Sequence, residues 1–231
     1  MTFVPTRRKA HIHGLLRFAV GLATLVATAA FAEEAPDALV KRVSQEALSI
    51  IKSDPRVQAG DQAHIRDLIE VKIAPHFDVD RMTALAAGRA YRQATPEQKK
   101  RLVTEFRNML VRTYANAIQG YQGQTLKVLP ARGKQDPEDT TVRTQFIRAG
   151  GQPLPIDFAM RKTGEGWKVY DITVEGVSLV MTYRSEFDAV VKQEGIDGLI
   201  KRLASKNAPA AAVGGTAGGS GAKPATKQDT K

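Results

Sequence analysis

The chain contains no cysteine among its 231 residues. Disulfide bonds, thiolate nucleophiles and cysteine-based metal sites are therefore excluded. Aromatic residues make up only 6% of the chain, and histidine occurs four times. His11 and His13 lie in the N-terminal segment, whereas His64 and His76 stand beside apolar residues of predicted helices. A lone histidine in that setting is more often a structural group than a ligand. The sequence therefore predicts no metal site.

Common catalytic motifs are also missing from the sequence. It holds no H-E-x-x-H, no G-x-S-x-G and no G-K-[ST] loop. The glycine-rich run at 214–221 follows no predicted strand, so it is interpreted as a linker. One alternative stays open, because Asp157 and Asp171 lie in predicted strands and could form an acid–base pair. In the other interpretation, each of these two aspartates forms an ion pair with a nearby cation such as Arg143 or Arg161. On balance the sequence favours a protein that is not an enzyme and has no catalytic residue.

The N-terminal segment has the pattern of an exported protein. Arg7-Arg8-Lys9 precedes a short apolar stretch rich in small residues, which closes on Ala30-Phe31-Ala32. This order is typical of a secretory signal peptide. We therefore expect residues 1–32 to be removed by cleavage after Ala32, which places the mature protein in the periplasm. An uncleaved membrane anchor is the alternative.

Positive charge is not concentrated in the predicted domain, residues 33–207. The formal net charge of the chain is +10, and most of that excess comes from the signal segment and the C-terminal tail. A basic stripe for nucleic acid is therefore not expected. The tail, residues 208–231, is rich in alanine, glycine and lysine without periodicity, and we expect it to be disordered.

The hydrophobic period changes from helical to strand-like near Gly123. The predicted helices cover residues 36–53, about 62–73, a short element from Asp78 to near Gly88, a long run that begins with a capping box at Thr95 to Gln98, and then 178–193 and 196–204. Between them, four runs with two-residue spacing and short turns predict an antiparallel meander. The fold class is therefore predicted to be α+β, with a four-stranded, mostly antiparallel sheet.

Four blocks of sequence resemble one known family. They are HFDVDRMTALAAGRAY at 76–91, ATPEQKKRLVTEFRNMLVRTYA at 94–115, GWKVYDITVEGVSLVMTYRSEF at 166–187 and GIDGLIKRL at 195–203. In this order, after a signal peptide, they resemble the MlaC family, also called the toluene-tolerance family of periplasmic phospholipid-binding proteins. The resemblance spans nearly all of residues 36–207.

The resemblance implies a sheet wrapped by helices around a deep apolar cavity, similar to the nuclear-transport-factor-2 group with an added helical subdomain. It also implies a shuttle for phospholipid between an outer-membrane lipoprotein complex and an inner-membrane ABC transporter with an MCE-domain partner. Such a pathway maintains outer-membrane lipid asymmetry. Phospholipid is then the cargo, no cofactor is expected, and the protein is expected to be a monomer without a nucleic-acid partner.

Besides a hydrolase that uses Asp157 and Asp171, two alternatives to a phospholipid carrier remain at this point. One is a carrier of hopanoids or other isoprenoid lipids within the same fold. The other is a periplasmic adaptor with a solid core and no lipid.

A lipid carrier needs a dry cavity with no charge at its floor and a polar mouth. The expected lining residues are Ile156, Phe158, Tyr170, Ile172, Val174, Val177, Leu179, Val180 and Tyr183, with Met82, Tyr114 and Ile118 on the opposite side. Arg184 is the candidate for the mouth, because a guanidinium binds phosphate well. The assignment depends on strand register, since a shift of one residue exchanges the two faces of a sheet.

Overall fold

The structure is a computed structural model that describes residues 34–118, 123–131, 136–148 and 150–208. The predicted signal segment and nearly all of the predicted tail lie outside these ranges. The helices are α1 (Pro36–Ser53), α2 (Pro55–Gln58), α3 (Gln62–Leu68), α4 (Val79–Gln93), α5 (Pro96–Ile118) and α6 (Leu179–Asn207). The strands are β1 (Thr125–Val128), β2 (Asp139–Ile147), β3 (Leu154–Thr163), β4 (Gly166–Val174) and β5 (Val177–Ser178). Within the described ranges, none of the helices has the length and apolarity needed to cross a membrane.

The sheet is an antiparallel meander in which each strand pairs with the next, in the order β1-β2-β3-β4-β5. The predicted α+β class and antiparallel sheet are confirmed, but the predicted strand number of four is wrong. The fifth strand pairs with the end of β4 across a turn in which Glu175 and Gly176 both have positive φ. Two central residues with positive φ suit a tight hairpin. A strand of two residues is too short to show a period, which is why the pattern missed it.

A β-bulge determines which side chains of β4 lie on each face of the sheet. Met160 pairs with Val169 and Ala159 pairs with Asp171, so Tyr170 is an extra residue on β4. Beyond the bulge, Phe158 pairs with Ile172 on the same face as Met160. This apolar face of the sheet packs against α1 through Leu39 and Val40.

The long helix α5 forms where its capping box predicts. The Thr95 N–H donates to Gln98 Oε1 at 3.0 Å, and the Gln98 N–H donates to Thr95 Oγ1 at 3.2 Å. The buried face of α5 packs against α4 and α6 in the main core. At its centre, the ring of Phe106 lies edge-to-face against Tyr183 and Phe187, with centroids 5.1 and 5.2 Å apart.

Two glycines divide the longer helical elements. Gly88 takes φ 54° and ψ −117°, which are not helical angles, so the first helical part of α4 ends there as predicted and a second part continues to Gln93. Gly195 takes φ 69° and ψ −173° and separates α6 into two helical parts, which agrees with the two helices predicted on either side of it. Glycine adopts these backbone angles at little cost, so the chain changes direction at each position.

The predicted helix over 62–73 changes its form halfway along. After α3, Ile69–Ile73 is a π-helical segment, closed by the Ala74 N–H donating to the Ile69 carbonyl. A 3₁₀ turn over Ala74–His76 follows, with Pro75 in its first turn. π-helical turns are rare and are frequent at functional sites. This segment lies beside the cavity described next.

Asp78 connects the helices to the sheet, and this residue is only 8% exposed. Its carboxylate accepts a hydrogen bond from the Arg81 N–H and caps α4. It also forms an ion pair with Arg161 Nε on β3, at 2.5 Å. The Asp78 N–H donates to the Val169 carbonyl at 2.8 Å. The start of α4 is therefore fixed against the centre of the sheet.

Candidate functional site

An apolar cavity of about 270 Å³ lies between the π-helical segment, α4, α5, β4 and the start of α6. The lining residues are Ile69, Ile73, Ala74, Phe77, Val79, Met82, Arg107, Leu110, Val111, Tyr114, Ile172 and Leu179. Of these described residues, Arg107 alone carries a charge. A lining of this kind can accept an apolar ligand.

The cavity is deep at one end and open at the other. Met82 and Val111 are 2% and 8% exposed, so they form its inner wall. Tyr114 is 43% exposed and lies at the rim. Its hydroxyl shares a hydrogen bond with Tyr183, and burial raises the pKa of both phenols. Both rings therefore stay neutral at physiological pH and add no charge to the cavity.

Four of the residues expected from sequence line this cavity, and they are Met82, Tyr114, Ile172 and Leu179. Three more, Ile156, Phe158 and Val174, share the sheet face of Ile172 in the β3–β4 register. The two-residue spacing assigned these positions to one face together with Tyr170, but the bulge makes Tyr170 an extra residue in β4. Their contact with a ligand stays a prediction.

The remaining expected residues lie elsewhere. Tyr170, Val180 and Tyr183 pack in the main core beside the cavity. Val177 is 62% exposed on β5. Ile118 lines a space of about 40 Å³ under α1, α2 and α3 and a more open, more polar one of about 590 Å³ beside α2. Their roles in binding stay predictions.

Arg184, the candidate for the mouth, lies against Gly88. Its Nη2 is 3.2 Å from the position that a Cβ on Gly88 would take. This contact places it on the kink of α4, and it is not among the residues that line the cavity. A role in binding phosphate stays a prediction for this residue.

The sequence did not single out Arg107, Leu110, Val111 or the π-helical residues as lining. Helical periodicity placed Leu110 and Ile69 on inward faces, but it does not distinguish a packed core from the wall of a cavity. Arg107 stands one turn before Leu110 and Val111 on α5, and this spacing is the only sequence signal for it.

The proposed acid–base pair is not formed. Asp157 and Asp171 are not opposite each other in the β3–β4 register. Asp171 accepts hydrogen bonds from Ser178 Oγ at 2.5 Å and from the Val180 N–H at 3.0 Å, so it holds the start of α6. Asp157 faces Arg143 across β2 and β3. Across the described ranges, no group of three or more metal-ligating side chains occurs.

Comparison with known proteins identifies related chains. The family model described as MlaC protein matches residues 41–205. The intermembrane phospholipid transport system binding protein MlaC of Haemophilus influenzae is 25% identical over 185 residues, which are 78% of this chain and 86% of that protein. The toluene tolerance protein ttg2D of Pseudomonas putida is 26% identical over 179 residues, which are 75% of this chain and 83% of that protein.

A solved structure is similar to this chain as well. It is the phospholipid-binding protein from Ralstonia solanacearum, determined in complex with a phospholipid. The TM-score is 0.69 and the sequence identity is 37%, with 74% of this chain and 96% of that chain covered.

Proposed function

The chain belongs to the MlaC family, and we propose that it carries phospholipid, with the acyl chains held in the apolar cavity beside α4, α5 and β4. The observation that carries this proposal is the cavity itself, because its lining is apolar except for Arg107. The relatives are named for phospholipid transport and phospholipid binding. We further propose that the protein is not an enzyme and uses no cofactor.

The energetics of acyl chains suit a carrier of this kind. Each buried methylene contributes about 0.8 kcal/mol, so two chains represent a large apolar burial. A bilayer already supplies that burial. A carrier can therefore take up and release lipid only if it covers the chains about as completely as the bilayer does. The apolar lining is the kind of surface that such coverage requires.

The cavity must enlarge to hold a lipid. Its volume of about 270 Å³ lies below the ~300–1,000 Å³ range of sites for drug-sized ligands. A second apolar space, about 40 Å³, lies under α1, α2 and α3, and Ile69 and Ile73 line both spaces. The π-helical segment is therefore the partition between them. We propose that this segment moves when lipid enters and joins the two spaces.

The setting of the carrier is also proposed. A relative is named as part of an intermembrane transport system, which supports a periplasmic protein that works between two membranes. The proposed partners are an outer-membrane lipoprotein complex and an inner-membrane MCE-domain ABC transporter. We propose that the signal peptide is cleaved after Ala32 and that the carrier acts as a monomer.

The test is to purify the mature protein from cells without detergent and to analyse an organic extract by mass spectrometry. The expected result is phospholipid in stoichiometric amount. Stoichiometric hopanoid or another isoprenoid lipid would replace the proposed cargo with that lipid class. A folded protein without any lipid would contradict the carrier function and would favour the adaptor.

A further inference from the structure

Arg107 occupies an unusual position on α5. It is the one charged side chain among the described residues that line the apolar cavity. Its side chain is 42% exposed, so the guanidinium lies at the mouth and not at the floor. Nevertheless its Nε is buried and has no hydrogen-bond partner among the described residues. A buried donor without a partner is unfavourable, so this arrangement requires a physical explanation.

The partner of Arg107 is Glu70. Arg107 Nη2 forms an ion pair with Glu70 Oε2, and the Glu70 side chain is 34% exposed. Glu70 belongs to the π-helical segment, between Ile69 and Ile73, which both line the cavity. The ion pair therefore joins α5 to the partition. It uses only one edge of the guanidinium and leaves Nε without an acceptor.

A phosphodiester can satisfy this guanidinium more fully than Glu70 does in this arrangement, because Glu70 contacts Nη2 and not Nε. Two non-bridging oxygens in one plane can accept hydrogen bonds from Nε and Nη2 at the same time. The acyl chains attached to that phosphate would then extend into the apolar space lined by Leu110 and Val111, one turn further along α5.

We propose that Arg107 is the phosphate-binding residue at the mouth of the cavity, and that a lipid phosphate replaces Glu70 on its guanidinium. This proposal rests on the proposed carrier function. Replacement of Glu70 also releases the tie between α5 and the π-helical segment. Phosphate binding and the opening of the partition are therefore coupled, because the same ion pair controls both.

The test measures lipid selection at equilibrium. Purified mature protein is stripped of lipid, incubated with phosphatidylglycerol vesicles that contain a minor fraction of diacylglycerol with the same acyl chains, and separated from them. Mass spectrometry then gives the ratio of the two lipids on the protein relative to the vesicles. The wild type is expected to enrich phosphatidylglycerol about tenfold, the selectivity that one charge-assisted hydrogen bond supplies.

The variants separate the phosphate contact from general effects of charge. Arg107→Leu is expected to reduce the enrichment to about one while diacylglycerol is still taken up. Glu70→Gln removes the competing carboxylate and is expected to raise the enrichment about threefold. The ion pair between Arg202 and Glu194 on α6 has similar exposure and neither residue lines the cavity. Arg202→Leu and Glu194→Gln are therefore the matched controls, and both should keep the wild-type ratio.

Each outcome decides the proposal. It is overturned if Arg107→Leu keeps the enrichment or if the wild type takes up both lipids equally, and equal uptake leaves the carrier function intact. Uptake of neither lipid contradicts the carrier function and this proposal with it. If Arg107→Leu does not fold, a Glu70→Gln ratio no higher than that of the Glu194→Gln control overturns the proposal. Binding of inorganic phosphate by lipid-free wild type but not by Arg107→Leu, without lipid selection, would assign the site to free phosphate and overturn the lipid assignment.

Discussion

A pair of matched substitutions tests whether the cavity is a site that a ligand can occupy. Val111 and Val190 are both 8% exposed and lie in the middle of long helices. Val111 lines the cavity, whereas Val190 packs in the main core. Val111→Phe should direct a ring into the cavity and exclude lipid. Val190→Phe adds the same atoms where no comparable space exists.

The expected stability changes follow from the volume of the cavity. Unfilled apolar space costs about 24 cal/mol per Å³, so the void of about 270 Å³ represents at most about 6 kcal/mol. A phenyl ring at residue 111 recovers part of that loss. We therefore expect Val111→Phe to change the stability of the lipid-free protein by less than about 1 kcal/mol or to increase it. Val190→Phe should cost about 1–3 kcal/mol, because it overfills a packed core.

Two measurements check this prediction. Denaturant unfolding of lipid-free protein gives the stability change, and mass spectrometry of protein purified without detergent gives the lipid occupancy. Val111→Phe should lose lipid and keep its stability, whereas Val190→Phe should lose stability and keep its lipid. Equal destabilisation by both would show that no usable space exists at Val111. Full lipid occupancy in Val111→Phe would place the lipid elsewhere.

Three further predictions concern stability. Bound lipid stabilises the folded protein and not the unfolded chain, so removing lipid should lower the melting temperature in a thermal scan, by about 2–4 °C for each kcal/mol of stabilisation that is lost. Gly88→Ala and Gly195→Ala should each cost about 1–3 kcal/mol in denaturant unfolding, because a Cβ at positive φ is strained, and the two costs should be similar because the end of the Arg184 side chain near residue 88 can move. Burial lowers the pKa of His76 in the folded protein. The unfolded chain therefore takes up the proton first, so the contribution of His76 to the free energy of unfolding is fully present above its ordinary pKa and is lost as the pH falls through the lowered value. His76→Gln should therefore reduce the loss of stability between pH 7 and pH 5, and an unchanged slope would contradict that role.

Local signals in the sequence were sufficient for most of the fold. The capping box at Thr95 and Gln98 predicted the start of α5, and both of its hydrogen bonds are formed. The two-residue period after Gly123 predicted the antiparallel meander and the shared face of Phe158 and Ile172. These features depend on neighbouring residues or on pairing between consecutive strands, so they can be predicted from the local hydrophobic pattern.

Other features depend on packing between distant parts of the chain. The glycines at residues 88 and 195 predict the two helix breaks, but how closely a second helical part follows each break is not contained in the local pattern. The π-helical turn after Leu68 leaves no mark in an apolar pattern of helical spacing. The pairing of Arg107 with Glu70 links positions 37 residues apart. No local pattern gives such a contact, and the charged edge of the cavity therefore emerged only from the structure.

The arrangement at the mouth addresses a requirement that hydrophobic burial alone leaves open. Acyl chains are nearly as well covered in the bilayer as in the cavity, so burial gives little net preference for either. The free-energy difference between lipid in the protein and lipid in the bilayer must then come from interactions that the bilayer does not provide. Recovery of the unfilled volume when lipid enters favours loading. The Arg107–Glu70 ion pair, which re-forms when the phosphate leaves, favours release. These opposing terms keep the transfer reversible, because the ion pair contributes only about 1 kcal/mol and neither term is large enough to trap the lipid in the protein or to exclude it.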